Sequence, residues 1–433
     1  THPVTFNFGL SCDNHDKILI RGSFSASGAF NKTNEINSNP VLNIRIDSTS
    51  IYSMNNLWKI SKCNISVDTT AVRFDKFYLI NNSHYYLVDG AISADPADTL
   101  LVEFKGIDIS PLNSIVSRNA APDMIPLSFR GELNGRIRLT NIYSLPLLVT
   151  NLRINNFSML QSEYGNISII SEWNRVKKVA DVHAENNLEG KKMINIDGYY
   201  DPAAKYLYLN GLAEKLPVDA MNPLLRVFAS GINGTASGKV NLSGGPGRFV
   251  LKGALMVENA GIKIDYLQTK YRINDSIRFE KNNIIFNNVR ASDEKGNIAI
   301  LNGFIHHKYF KEFSADIKLN TNDCMVLNTK PKDNDLFYGT AYASGVTTIK
   351  SGPGSISFDI SAKTGKNTKF YIPLYTSETV SDYSFVTFIN HDTLPKKDDD
   401  QAIHVSAPVS NTLMDLNFDL EVTPDAEVQI IFD

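Results

Sequence analysis

GTASGKVNLSGGPGRFVLKGALMVENAGIKIDYLQTKYRINDSIRFEKNNIIFNNVRASDEKGNIAILNGFIHHKYFKEFSADIKLNTNDCMVLNT, residues 234–329, alternates apolar and polar side chains in short runs, of which Phe249-Val-Leu-Lys-Gly-Ala-Leu-Met-Val257 is one. Turn chemistry separates the runs at Gly244-Gly-Pro-Gly247, Asn259-Ala-Gly261, Asn274-Asp275 and Asp293-Glu-Lys-Gly-Asn297. A period of two sends alternate side chains to opposite faces of a sheet. Turns at intervals of about ten residues predict many short strands and almost no helix.

The unit recurs. Gly131, Gly234 and Gly339 open G-x-x-x-G-like elements (GELNG, GTASG, GTAYASG) at intervals of a little over a hundred residues. Gly90, Gly198 and Gly303 close β-runs (YYLVDG, INIDG, IAILNG) at the same interval, and a leading copy, GSFSASG, spans Gly22–Gly28. A short non-strand segment precedes each opening glycine: Ser110-Pro-Leu-Asn-Ser-Ile-Val116, Leu216-Pro-Val-Asp-Ala-Met221 and Asn322-Asp-Cys-Met-Val-Leu327. The first reads as a helical turn with Ser110 as N-cap and Pro111 at the first helical position. Residues 216–230 carry the strongest helix pattern in the chain, cut short by Pro223. Repetition at a long fixed period predicts an all-β, elongated, repeat-built curved sheet with minor short helices, grown by adding strands. The repeats divide the chain into 1–106, 107–215, 216–329 and 330–433.

Which face is which carries the functional reading. Leu42, Ile44 and Ile46 share one face of Val41–Ile46. Lys252 and Glu258 demand water, so Phe249, Leu251, Leu255 and Val257 face the other way. Ile262 and Ile264 oppose Lys263 and Asp265; Phe313, Ile317 and Leu319 oppose Lys318; Ile284 and Phe286 continue the apolar series. Ile356, Phe358 and Ile360 oppose Asp359, and Leu416, Phe418 and Leu420 oppose Asp419 and Glu421. This is a one-sided sheet. With no helices to cover the apolar face, the sheet must fold on itself as a sandwich, a closed tube or a trough.

By length alone the 433 residues would make about three domains; the repeat argues for one extended element. A net charge of −3 gives no electrostatic case for nucleic acid. Cys12, Cys63 and Cys324 are too far apart for a disulfide framework or a spaced metal site. No apolar run reaches the ~18–20 residues of a membrane span. Thr1 begins inside a β-pattern and Asp433 directly follows Val428-Gln-Ile-Ile-Phe432, so the chain reads as a segment of a larger protein, with any anchor or export signal outside it.

Candidate chemistry is sparse. Gly365-Lys-Asn-Thr368 lacks the upstream glycine and following helix of a phosphate loop and reads as a hairpin turn. His306 and His307 are adjacent on a strand, point to opposite faces and cannot share a metal. Tyr309, Tyr338 and Tyr342 read as ordinary strand aromatics, and Asn31-Lys-Thr33 and Asn233-Gly-Thr235 as incidental sequons in an Asn-rich chain. A carbohydrate-active enzyme would need carboxylates clustered on one stacked face, which the sequence does not offer. Neither catalysis nor a cofactor is expected. The polar stretch Trp173–His183 reads as a longer loop or insertion, and Pro395–Gln401 as a solvated loop.

Gly234-x-x-x-Gly238, Leu242-Ser-Gly244, Gly253-Ala-Leu255 and Asn259-Ala260 open a series of short motifs. Tyr271-x-Ile273, Ile277-x-Phe279, Asp293-x-x-Gly-Asn297 and Leu301-x-Gly303 with His307 and Phe310 come next. Val326-Leu-Asn-Thr329, Phe337-Tyr-Gly-Thr-Ala-Tyr-Ala-Ser-Gly345 and Thr423-Pro-Asp-Ala426 complete the set. On these residues the sequence from Leu207 to Asp433 resembles the TamB family, the translocation and assembly module proteins of Gram-negative envelopes. The resemblance implies a β-sheet curled into a trough with an apolar interior, the β-taco. It implies a periplasmic protein anchored in the inner membrane by a segment outside this chain, with an outer-membrane BamA-like barrel as partner. It also implies transfer of phospholipid to the outer membrane, or alternatively a scaffold for barrel-protein assembly that works through exposed β-edges.

Overall fold

The structure is a computed structural model that describes residues 4–14, 17–31, 41–53, 56–113, 128–143, 147–160, 162–222, 229–333, 337–374 and 413–432. Among these the chain is all-β, with 26 strands and one 3-10 turn at Asp219–Met221. The strands belong to a mixed sheet that is not closed into a barrel. In chain order they are β1 (Val4–Asn14), β2 (Lys17–Asn31), β3 (Val41–Ile46), β4 (Thr49–Ser53), β5 (Asn56–Ile60), β6 (Cys63–Val67), β7 (Ala71–Asn81), β8 (His84–Ser93) and β9 (Thr99–Asp108). Then follow β10 (Phe129–Thr140), β11 (Leu147–Met159), β12 (Ser162–Asn174), β13 (Val179–Asn187), β14 (Ile194–Asp201), β15 (Tyr206–Pro217), β16 (Ala229–Gly244), β17 (Val250–Ile264) and β18 (Thr269–Glu280). The remainder are β19 (Asn283–Asp293), β20 (Ile298–Lys308), β21 (Lys311–Thr329), β22 (Tyr338–Gly352), β23 (Ser355–Thr364), β24 (Lys369–Leu374), β25 (Leu413–Glu421) and β26 (Glu427–Phe432). The residues cluster into two units, one of 1–263, 272–289 and 307–311, the other of 264–271, 290–306 and 312–433.

In the first unit β1 pairs with β2, which pairs with β4 near its start and β3 near its end. β3 continues to β6 and β4 to β5, and both rejoin at β7. From β7 to β16 every strand runs antiparallel to the next. Short turns join most of these neighbours and make them antiparallel, because only antiparallel neighbours can be joined by tight hairpins; residues 109–128 and 218–228 make the two longer connections, β9 to β10 and β15 to β16. The polar stretch after Trp173 is no insertion: residues 175–178 form the tight turn between β12 and β13.

The closing glycines have one structural cause. A Cβ on Gly90, whose φ is +101°, would lie 2.0 Å from the Thr99 carbonyl oxygen, and one on Gly303, φ +125°, would lie 2.1 Å from that of Asp316. Each repeat needs a residue without a side chain where the next strand's backbone crosses close by.

The segments ahead of the opening glycines divide two to one. Asp108 accepts from the Ser110 amide and hydroxyl, and the chain turns helical at Leu112 and Asn113. Asn113 then pairs its amide with both backbone groups of Phe129, at 2.9 Å each. Asn222, just after the 3-10 turn, does the same to Ile232 at 2.7 Å. An amide side chain here replaces a neighbouring strand, satisfying a donor and an acceptor together. The helix expected over 216–230 is shorter than its pattern: β15 runs to Pro217, the 3-10 turn follows, and β16 begins at Ala229, with 223–228 outside the described residues. The third segment, 322–327, is no break at all and lies within β21.

In the second unit β21 runs antiparallel to β22, whose two halves pair with β24 and β23. β23 then pairs with β25, and β24 with β26, in parallel. Parallel neighbours need a long crossover rather than a hairpin. The residues between them, 375–412, lie outside the described residues, and with them the loop expected at Pro395–Gln401.

Candidate functional site

β18 shows how the sequence builds two unlike faces. Tyr271, Ile273, Ile277 and Phe279 are half-buried on one side, while Lys270, Arg272, Asn274, Arg278 and Glu280 are exposed on the other. β17 repeats this, with Leu251 and Leu255 half-buried and Val257 buried against exposed Lys252, Met256 and Glu258. In the first unit this face gathers three clusters. Ala26, Ile46, Ile60 and Cys63 form one, with Ile44 and Phe77 packed on it. Leu160, Tyr164 and Ala220 form the second, and Ala236, Val257 and Ala260 the third, joined by Leu255, Ile273 and Ile277. An aromatic row, Trp58–Tyr86–Phe104, has ring centroids 5.4 and 5.9 Å apart. Burial pushes the Tyr86 hydroxyl above its ordinary range, as it does that of Tyr164.

Of the residues assigned from sequence to this face, Ile46 and Val257 are buried. Leu42, Ile44, Phe249, Leu251, Leu255, Ile262, Ile264, Ile284 and Phe286 are half-buried, as are Ile317, Leu319, Ile356, Phe358 and Ile360. Phe313, Phe418 and Leu420 are exposed, at 53%, 54% and 41%. Leu416 pairs in parallel with Phe358, and Phe418 with Ile360, so the pattern passes from β23 to β25 in register. A face that is half-buried along many strands is only partly covered by protein.

The alternation survives interruptions that sequence reasoning missed. In β7, β15 and β17, two exposed residues stand together where alternation allows one, Asp75-Lys76, Glu214-Lys215 and Glu258-Asn259, and in β11 half-buried Asn155 precedes exposed Asn156. The second of each pair has positive φ: 49° at Lys76, 50° at Asn156 and Lys215, 51° at Asn259. The apolar positions step by three across them, as in Phe74 to Phe77, Ile154 to Phe157 and Val257 to Ala260, and stay on their face. These are β-bulges. Their signature, two polar residues between two apolar ones, is visible in the chain.

The other residue types singled out have structural partners. His306 is exposed and His307 buried, stacked on Phe310 at 4.7 Å with its Nδ1 accepting the Phe310 amide at 3.1 Å. Tyr338 stacks on Tyr371, and Lys295 lies 4.1 Å from the ring centre of buried Tyr342. Gly365–Thr368 is the turn between β23 and β24, and the Thr368 hydroxyl contacts both backbone groups of Tyr342 at 3.1 Å. Cys63 and Cys324 are buried free thiols. Among the described residues no group of three or more His, Cys, Asp or Glu could hold a metal ion, and no helix is long and apolar enough to cross a membrane.

The class of protein these features define is an all-β, repeat-built sheet with one apolar and one polar face. Direct comparison adds that residues 287–433 match the family model of the TamB C-terminal domain. That family is a transport and assembly module of the Gram-negative envelope. No curated protein and no solved structure matches the chain.

Proposed function

We propose that the chain is a non-enzymatic segment of a lipid conduit, in which phospholipid acyl chains lie along the apolar face and headgroups remain in water. The observation that carries this reading is the half-buried apolar face, kept in phase from strand to strand even across bulges. A buried methylene is worth about 0.8 kcal/mol, so a sixteen-carbon chain alone in water costs on the order of 12 kcal/mol. A continuous apolar face removes that cost at every point without binding tightly at any one. The TamB match over residues 287–433 supports placing the segment in the periplasm, between an inner-membrane anchor outside these residues and a BamA-like barrel. The four repeats would then be units by which such a face is lengthened. The test is extraction of the purified chain together with photocrosslinking from Leu255 and Phe286. Co-purified phospholipid crosslinked at both positions is the expected result; a lipid-free chain with no crosslink would overturn the reading.

One observation favours a second role. β25 and β26 each have a strand partner on one side among the described residues, and Phe418, Leu420 and Val422 are exposed. Such an edge suits assembly of barrel proteins by strand addition. Crosslinks from β25 to a barrel protein, rather than from the apolar face to lipid, would select it.

A further inference from the structure

We propose that the bulges curve the sheet of the first unit toward its apolar side, and that Asp89, Asn134, Asn166, Ser237 and Asn274 are the positioning residues that hold the curvature. Only its functional consequence rests on the conduit reading. Each bulge puts two successive residues where the neighbouring strand has one on the polar face: Asp75-Lys76 against Asp89, Asn155-Asn156 against Asn166 and Glu214-Lys215 against Ser237. The polar side of the strand is therefore the longer arc, and the strand bends away from it.

Left alone, such a bulge is unstable, because its extra amide N–H has no place in the ladder. Every one of these bulges finds an acceptor on the following strand. Lys76 donates to Asp89 at 3.2 Å, Asn156 to Asn166 at 3.1 Å, Lys215 to the Ser237 hydroxyl at 2.8 Å and Asn259 to Asn274 at 2.6 Å. β9 uses a glycine at the same place: Gly106, φ 65°, donates to Asn134 at 2.9 Å. Asp89, Asn134 and Ser237 each directly precede a repeat glycine: Gly90, Gly135 and Gly238. One dipeptide thus caps the bulge behind it and admits the backbone ahead of it.

The exception sharpens the pattern. β13 contains no residue of positive φ, and Asp197, which precedes Gly198 as Asp89 precedes Gly90, has no bulge to cap. Its carboxylate contacts His183 Nδ1 at 2.7 Å instead.

The test uses the full chain with Cys12, Cys63 and Cys324 replaced by alanine and spin labels at Lys252 and Lys263, which flank the Asn259 bulge. Asn274→Leu removes the acceptor at nearly constant volume, and Asn274→Asp keeps it. We expect Asn274→Leu to speed hydrogen exchange of the Asn259 amide about tenfold and to lengthen the label distance by about 3 Å, the rise of one strand residue. Asn274→Asp should restore both. Ser237→Ala, followed by exchange at the Lys215 amide, repeats the test with a smaller change should the leucine variant fail to fold. An unchanged distance despite faster exchange, or no change in exchange in either variant, overturns the proposal. Phospholipid recovered from the unsubstituted chain reports on the conduit separately: a lipid-free chain whose label distance still responds would defeat that reading and uphold this one.

Discussion

Tyr271 and Asp293 hold the two backbone groups of one residue between them: the Tyr271 hydroxyl donates to the Met325 carbonyl at 2.7 Å, and the Met325 amide donates to Asp293 Oδ2 at 2.9 Å. Both side chains act within the second unit, just past the point where β21 shifts register against β22 at Thr321/Cys324. They stand in for a ladder neighbour, as Asn113 and Asn222 do in the first unit. The same Asp293 accepts from the Lys295 and Asn297 amides, so one carboxylate shapes its own turn and fastens a distant strand. Burial pushes the Tyr271 hydroxyl up to about 12, so it stays a donor at any physiological pH.

The Asp293 arrangement predicts a pH dependence. Burial opposes its charge, but the hydrogen bonds from Met325, Asn297 and Lys295 outweigh burial and hold the carboxyl below its ordinary range. A depressed carboxyl contributes stability above its unfolded value, about 3.9, and loses it as pH falls through the lower folded value. Asp293→Asn should therefore destabilise the chain by about 1–3 kcal/mol at neutral pH. The gap between variant and parent should close as pH drops below about 4. Urea midpoints at pH 7 and pH 3 check it; an equal gap at both would deny the carboxylate its role.

The repeat glycines predict a contrast within one residue type. Gly303→Ala must place a methyl group against the Asp316 carbonyl at a φ of +125°. That should cost about 1–3 kcal/mol. Gly352 has nothing within 4 Å of an added Cβ. Gly352→Ala should stay within about 0.5 kcal/mol. Chemical denaturation of the two variants beside the parent decides it, and similar losses at both positions would show that close approach is not what holds the closing glycines.

Much of this was legible from spacing. The alternation of β18 and the two glycine series read directly as strands and repeats, because a period of two needs no long-range knowledge. The bulges did not read so, for a physical reason. Apolar residues three apart are also what a helix face uses, and the acceptor that makes a bulge stable sits on another strand. Thr321-Asn-Asp-Cys324 shows the cost: its broken alternation reads as the end of a strand, yet β21 continues, with the Asp323 amide donating to the Ser344 hydroxyl at 2.8 Å. The parallel pairing of β23 with β25 was equally hidden, since strand direction depends on the crossover and leaves no periodic trace.

The buried thiols should be inert in the folded chain. Burial, with Asp75 nearby, raises the Cys63 thiol above its ordinary range, and burial pushes Cys324 up to about 11. The thiolate is the reactive form, so neither should alkylate appreciably at pH 8 until the chain unfolds. Peptide mass spectrometry after brief iodoacetamide treatment, with and without urea, measures this. Rapid labelling of Cys324 in the absence of urea would mean that the Tyr271–Asp293 region opens readily.

The apolar face itself predicts a graded response to an added charge. Leu255 packs on Ala236, Val257 and Ala260, so Leu255→Asp should both unfold part of the first unit and remove lipid. The two effects would be hard to separate there. Phe358 is the cleaner site: it is half-buried on β23, pairs with Ile349 on one side and Leu416 on the other, and belongs to none of the first unit's clusters. Phe358→Lys places an ammonium on the face while its long stem can lead the charge out to water, so the loss in stability should stay near 1 kcal/mol. If acyl chains pass along this face, phospholipid recovered per chain should fall several-fold, with Asp359→Lys on the opposite face leaving it unchanged. Lipid extraction and a urea midpoint on the same preparations separate the outcomes, and equal lipid content in all three chains would show that the face at β23 carries no acyl chain.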